Sequence, residues 1–264
     1  MTDTPLALVT GASSGIGFEL ARQFIARGYD VVIAAEDEDI KTAAAALHDP
    51  RHDVRPVQVD LRTAEGVEQL YRAATENDRT PDAVALNAGI GRGGAFVETD
   101  LDDELAVIDL DIRSTVHLTK LVLRDMVDRN DGKLLFTSSI AATMPGARQA
   151  VYNASKSFIQ SFAKALREEL RDTDVTVTAL LPGPADTDFF RRAGMLATRI
   201  GRLPKDDPAD VARQGVDALL SGRQQIFAAS LLTKAFGLAN HVLPDAVKAK
   251  ANRIISEPAR SGAR

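Results

Sequence analysis

Tyr152 and Lys156 stand four residues apart in a segment of helical period, so their side chains share one face. A free phenol has a pKa of about 10 and exchanges protons poorly near neutrality. An ammonium beside it favours the phenolate and lowers that value. The pair could then deliver a proton to an oxygen or remove one. Taken alone, such a pair is more often a solvated surface contact. A second cluster could hold an anion: Thr10-Gly11-Ala12-Ser13-Ser14-Gly15-Ile16-Gly17 joins an apolar run to a helical segment. Glycines there allow a tight turn and close backbone approach to a pyrophosphate, towards which the helix offers its positive end. Turn geometry alone also explains such glycines. No lysine follows the last one, so this is not a nucleoside-triphosphate loop.

The elements that must position these groups alternate strictly. Strands are predicted at Leu6–Thr10, Asp30–Ala35, Val54–Asp60, Ala83–Asn87, Lys133–Thr137, Val175–Leu181 and, more weakly, Gln225–Ala228. Their apolar residues run continuously, as parallel strands covered on both faces require. Helices are predicted at Ile16–Arg27, Ile40–Leu47, Ala64–Asn77, Asp102–Asp128, Val151–Arg171 and Pro208–Ser221. The fifth carries an apparent packing stripe, Phe158, Phe162, Leu166 and Leu170. The expected fold is α/β: a doubly wound, Rossmann-like parallel sheet of about seven strands with helices on both faces. No linker divides residues 1–264, so a single domain is expected, with a frayed end from Glu257 to Arg264.

Five motifs in register resemble the short-chain dehydrogenase/reductase family. Gly11-x-x-x-Gly15-x-Gly17 matches its cofactor loop, Asp60-Leu61 its acidic position after strand three, and Asn87-Ala88-Gly89 its motif closing strand four. Ser139, Tyr152 and Lys156 fall at the catalytic spacing, and Pro182-Gly183 with Thr187 matches P-G-x-x-x-T. The resemblance covers about two thirds of the chain, Thr10 to Thr187. It implies hydride transfer between NAD(P) and a carbonyl or alcohol substrate, with Tyr152 as acid or base and Ser139 holding the substrate oxygen. Lys156 would also bind the nicotinamide ribose, and Ser13, Ser14 and Ile16 would meet the cofactor with the loop glycines. Bland alternatives stay open: Asn87 ties strands together, Asp60 caps a helix, and Ser138 competes with Ser139.

Two positions depart from the family pattern. Asp111 stands where an asparagine is expected, keeping the main-chain carbonyl but placing a charge near Lys156. Activity with an altered pH optimum is the expectation. The end of strand two reads Ala34-Ala35-Glu36-Asp37, with neither the usual NAD acid at 35 nor an NADP arginine at 36. Carboxylates there should repel a 2′-phosphate, which favours NAD.

The substrate lid implied by the family is the segment around 188–243, from Asp188 to about Gly201 and again from Ser230 to Pro244. It carries Phe189, Phe190, Met195, Leu196, Ile200, Phe236 and Leu238, which suit a hydrophobic substrate. Arg191 and Arg192 read as solvated. Met144 and Pro145 are expected to line the pocket. The segment Ser230–Leu243 is interrupted by Lys234, Asn240 and His241, so it reads as lid or oligomer contact, not a span. Relatives assemble through the helices flanking strand five, which implies a homodimer or homotetramer.

Composition narrows the alternatives. A formal charge of −5 without basic clusters argues against nucleic acid, and no cysteine exists for thiolate chemistry. His48 and His52 are separated by Pro50, so no metal site is expected. No secretory signal is read at the start, which makes the cytoplasm the expected location. The rival reading is a catalytically impaired dinucleotide-binding sensor or scaffold. A sugar-nucleotide epimerase is disfavoured by the short region after Thr187.

Overall fold

A computed structural model of the protein describes residues 4–76, 79–228 and 244–257. Seven strands form one parallel sheet: β1 (Leu6–Thr10), β2 (Asp30–Ala35), β3 (Val54–Gln58), β4 (Ala83–Leu86), β5 (Gly132–Thr137), β6 (Val175–Pro182) and β7 (Gln225–Ala228). Their order is β3-β2-β1-β4-β5-β6-β7. The order reverses between β1 and β4, which opens a crevice beyond the carboxyl ends of those strands. Pro56, which has no N–H for a ladder, is accommodated because β3 is an edge strand.

Strand residues alternate between two cores, which explains their continuous apolar character. Leu6, Leu8, Val84, Leu134 and Phe136 face α3 (Ala64–Ala74), α5 (Thr115–Asp128) and α6 (Ala150–Glu169). Ala7, Val9, Ile33, Ala85 and Leu135 face α1 (Gly15–Ile25), α2 (Asp39–Ala46) and α8 (Pro208–Leu220). Phe24 and Phe136 are among the largest fully buried side chains, and truncating either to alanine should cost about 3–5 kcal/mol. Two helix starts are fixed by their caps. Thr63 accepts from Gly66 N–H ahead of α3, and Asp207 accepts from Ala209 N–H with Pro208 opening α8.

Two helical expectations are refined. The helix expected at Asp102–Asp128 is three pieces: α4 (Leu101–Val107), a π-helical segment (Ile108–Ser114) and α5. Its wider turn carries Asp111 into the protein, an insertion that periodicity does not report. The stripe expected on α6 holds at three of its four positions: Leu166 and Leu170 are buried in the core and Phe162 packs against it. Phe158 is the exception, 38% exposed and stacked on Phe162, while Tyr152, Lys156, Ile159 and Ala163 are among the other buried residues of the helix. Beyond β6 come the short α7 (Phe189–Arg192) and, after β7, α9 (Asp245–Ser256). Asn77, the part of the expected lid at 229–243 with Phe236 and Leu238, and the expected frayed end from residue 258 onward lie outside the described residues.

Candidate active site

The glycine loop follows from β1 at the crevice. Gly11 and Gly15 have φ of +67° and +58°, which side-chain-bearing residues rarely adopt. A Cβ on Gly17 would lie 2.0 Å from the Gly11 carbonyl oxygen. Ser14 precedes α1 without capping it through its side chain, so the first-turn N–H groups keep their capacity for an anion. Asn87 does tie the strands together: its amide donates to the Thr10 carbonyl at 3.1 Å. The Thr10 hydroxyl in turn accepts from the N–H groups of Asn87 and Ala88 at 2.9 and 3.0 Å. From the other side, a Cβ on Gly15 would meet the Thr187 methyl at 2.8 Å, so the segment after Pro182 and Gly183 closes over the loop.

At the ends of β2 and β3, Glu36 and Asp60 share Arg62. The Arg62 Nη2 lies 3.1 Å from Glu36 and 2.8 Å from Asp60. Its guanidinium holds the Asp60 carboxyl below the usual carboxylate range. Asp37 accepts from the Ser13 hydroxyl at 3.1 Å and faces Arg192 at 3.8 Å. Both carboxylates expected to repel a phosphate therefore have cations beside them, and Arg192 is paired rather than simply solvated. Arg191 pairs with Asp188 at 3.0 Å. Leu61 and Ile16 pack into opposite cores.

Tyr152, Lys156, Asp111 and Ser139 meet at the ends of β4 and β5. Ser138 is structural, donating its hydroxyl to the Lys156 carbonyl at 2.8 Å. Ser139 caps a 3-10 turn (Ile140–Thr143) by accepting from Ala141 N–H, and its hydroxyl faces the Tyr152 phenol. The Lys156 ammonium lies 3.2 Å from Asp111 Oδ2 and 3.5 Å from the Thr137 carbonyl. Asp111 is buried and fully used. Its Oδ1 accepts from Ile90 N–H at 2.9 Å, and Oδ2 from the Ser155 hydroxyl at 2.9 Å. Gly89 makes room, since a Cβ there would sit 2.8 Å from the ammonium.

Lys156 lowers the Tyr152 pKa as expected, but other contributions outweigh it. Burial pushes the phenol above its usual value, Lys156 pulls it down, Asp111 pushes it up again, and the Ser139 hydroxyl lowers it, leaving it raised. For Lys156, burial works against the ammonium, but Asp111 and Tyr152 outweigh it and hold its pKa above the ordinary lysine value. The site thus presents a protonated phenol next to a fixed ion pair. That arrangement can give a proton to a carbonyl oxygen.

Part of the expected lid covers this group. The Phe189 ring lies 5.1 Å from the Tyr152 ring, and Phe190, Ala193 and Met195 form a small core beneath it. Met144 and Pro145 instead line a cleft of about 620 Å³ with Asn153, Ser157, Asp245 and Ala249, beside a neighbouring face of α6. Sequence reasoning missed Arg62, Ser155 and the Ile90 N–H. Only the π turn, which has no sequence signal of its own, brings the last two to Asp111.

The comparisons with known proteins agree with this geometry. Residues 5–195 match the family model described as short chain dehydrogenase. A short-chain type dehydrogenase/reductase of Sinorhizobium fredii is 36% identical over 190 residues, 71% of this chain and 73% of that one. A short-chain dehydrogenase from Sphingobium yanoikuyae, solved with NADPH, superposes with a TM-score of 0.80 at 24% identity over 98% of both chains. One from Burkholderia phymatum, solved with NAD, gives 0.82 at 22% identity over 97% of this chain and 98% of that one. The chain belongs to the short-chain dehydrogenase family and is an oxidoreductase. Among the described residues no helix is long and apolar enough to cross a membrane.

Proposed function

We propose that this chain transfers a hydride between a nicotinamide dinucleotide and the carbonyl or alcohol carbon of a small apolar substrate. One observation carries the reading: the Tyr152 phenol, with the Ser139 hydroxyl facing it and Lys156 behind it, stands at the carboxyl end of the sheet, which also carries the glycine loop. The loop fits a dinucleotide, because Gly11, Gly15 and Gly17 leave a cradle that side chains would fill. Loop residues 11–17, with Ala88, Gly89 and Thr187, would hold the cofactor, and Lys156 its ribose. When bound, the nicotinamide supplies or accepts the hydride. Tyr152 gives its hydroxyl proton to the carbonyl oxygen during reduction and takes one from the alcohol during oxidation. Ser139 hydrogen-bonds that oxygen and fixes its position.

NAD is the favoured cofactor, on the strength of Glu36 and Asp37 near the expected 2′ position. Arg62 and Arg192 offset those charges and narrow the preference. Residues 1–264 act as one domain, with 188–243 as the lid. The Phe189 contact with Tyr152 supports the described part of that lid. Assembly into a homodimer or homotetramer through α4–α5 and α6 is supported by the exposed apolar residues Leu105, Ile108, Val116 and Phe158. The cytoplasm is the proposed location. A sensor or scaffold role is not favoured, since the proton-transfer group is assembled. Consumption of reduced nicotinamide with a panel of apolar ketones and aldehydes tests the reading. Turnover that Tyr152→Phe abolishes supports it, and cofactor binding without any turnover would restore the sensor.

A further inference from the structure

Asp111 is a carboxylate with no exposed side-chain surface, 3.2 Å from a lysine that is itself buried. Burying one charge is costly, and burying two is tolerated only when each answers the other and remaining lone pairs are used. Here they are used: Ile90 N–H, the Ser155 hydroxyl and the ammonium surround the carboxylate. The groups facing the pair come from four further directions. The β4 loop brings the backbone at Gly89 and Gly91, and β5 brings the Thr137 carbonyl and the Ser139 hydroxyl. The lid brings the uncharged Phe189 ring, and α6 itself brings Tyr152.

Resting on the oxidoreductase reading, we propose that Asp111 is a positioning residue that acts through Lys156, neutralising the ammonium internally so that Tyr152 stays a proton donor into the alkaline range. Carbonyl reduction needs the phenol, whose proton goes to the substrate oxygen as hydride reaches the carbon. Alcohol oxidation needs the phenolate, which takes the hydroxyl proton as hydride leaves. An internally neutralised lysine favours the first form at any given pH, so reduction persists upward and oxidation begins later. The raised pKa of Tyr152 agrees with this direction.

Asp111→Asn is a fair test because the site can accommodate it. The Asn carbonyl oxygen would still accept from Ile90 N–H. Ser155 has one hydroxyl proton and two acceptors in reach, Asp111 and the Tyr152 carbonyl at 2.8 Å. An amide in place of Oδ2 donates to Ser155 and leaves that proton for the Tyr152 carbonyl. Only the contact with Lys156 turns unfavourable. The experiment is the ultraviolet titration of tyrosinate in cofactor-free protein, with the Tyr152→Phe counterpart of each form subtracted. Tyr29 and Tyr71 cancel in the difference. Asp111→Asn should move the Tyr152 midpoint down by about one pH unit or more, a charge within a few ångströms being worth that much. An unchanged or higher midpoint overturns the proposal. The pH dependence of oxidation should shift the same way. A shifted titration in a protein with no turnover would uphold the Asp111 role while sinking the oxidoreductase reading.

Discussion

Arg62 spans the ends of β2 and β3, its Nη2 lying 3.1 Å from Glu36 and 2.8 Å from Asp60. Both pairs are about half exposed, so each contributes roughly 0–1 kcal/mol to stability. Their importance is the charge they set on the cofactor rim. Glu36→Arg should raise NADPH affinity about tenfold at low salt and leave NADH within a few-fold. Arg62→Ala should weaken NADPH selectively. Paired fluorescence titrations at two salt concentrations check both, and equal effects on the two cofactors would show that neither side chain reads the 2′ position.

Removing Tyr152's hydroxyl should affect chemistry more than binding. Tyr152→Phe is expected to lower kcat by about 10²–10⁴ with cofactor affinity nearly unchanged. A single-turnover assay with pre-bound cofactor makes the distinction. Retained turnover would assign the proton to another group.

Lys156→Met has a structural cost besides its catalytic one, because it leaves Asp111 buried and unpaired. A loss of about 3–5 kcal/mol is expected in urea unfolding. The double variant Asp111→Asn, Lys156→Met should recover much of it. Additive losses in the cycle would mean the two residues do not interact as their separation implies.

The raised values of Lys156 and Tyr152 carry a pH signature. Each folded-state pKa lies above its unfolded reference, 10.5 for lysine and 10.0 for tyrosine. The folded protein therefore binds those protons more tightly. Their stabilisation is complete below the unfolded values and is lost as pH rises through the folded ones. Denaturation midpoints should fall on the alkaline side of about pH 10, and earlier in Asp111→Asn. A flat alkaline profile would contradict the ion pair.

Gly17→Ala should abolish cofactor binding. Its Cβ would lie 2.0 Å from the Gly11 carbonyl, which forces the loop backbone to move. Overpacking of this kind costs about 1–3 kcal/mol, so the protein should still fold. Thermal unfolding with and without cofactor separates the two effects, and a normal cofactor-induced shift would show that the loop holds no phosphate.

Much of this is legible in the sequence. Strands covered on both faces announce themselves as continuous apolar runs, and the parallel sheet follows from their alternation with helices. The glycines, Asn87, Ser139, Tyr152 and Lys156 have fixed spacing because neighbouring strand ends bring them together. What escaped depends on tertiary contact. The π turn at Ile108–Ser114 carries no periodic mark, so the burial of Asp111 against Lys156 could not be read. Phe158 matched the apolar spacing of α6, yet it lies outside the core that Ile159, Ala163, Leu166 and Leu170 share. Arg62 sits in a polar stretch where nothing local predicts two acidic partners.

The central claim is that the glycine loop and the Tyr152 group serve a nicotinamide dinucleotide. Titrating the purified protein with NADH and then NADPH, following nicotinamide fluorescence at fixed salt, tests it most directly. Saturable binding of at least one is the expected result, with NADH the tighter. Tighter NADPH binding would overturn the reading of Glu36 alone, whereas binding of neither would contradict the account itself.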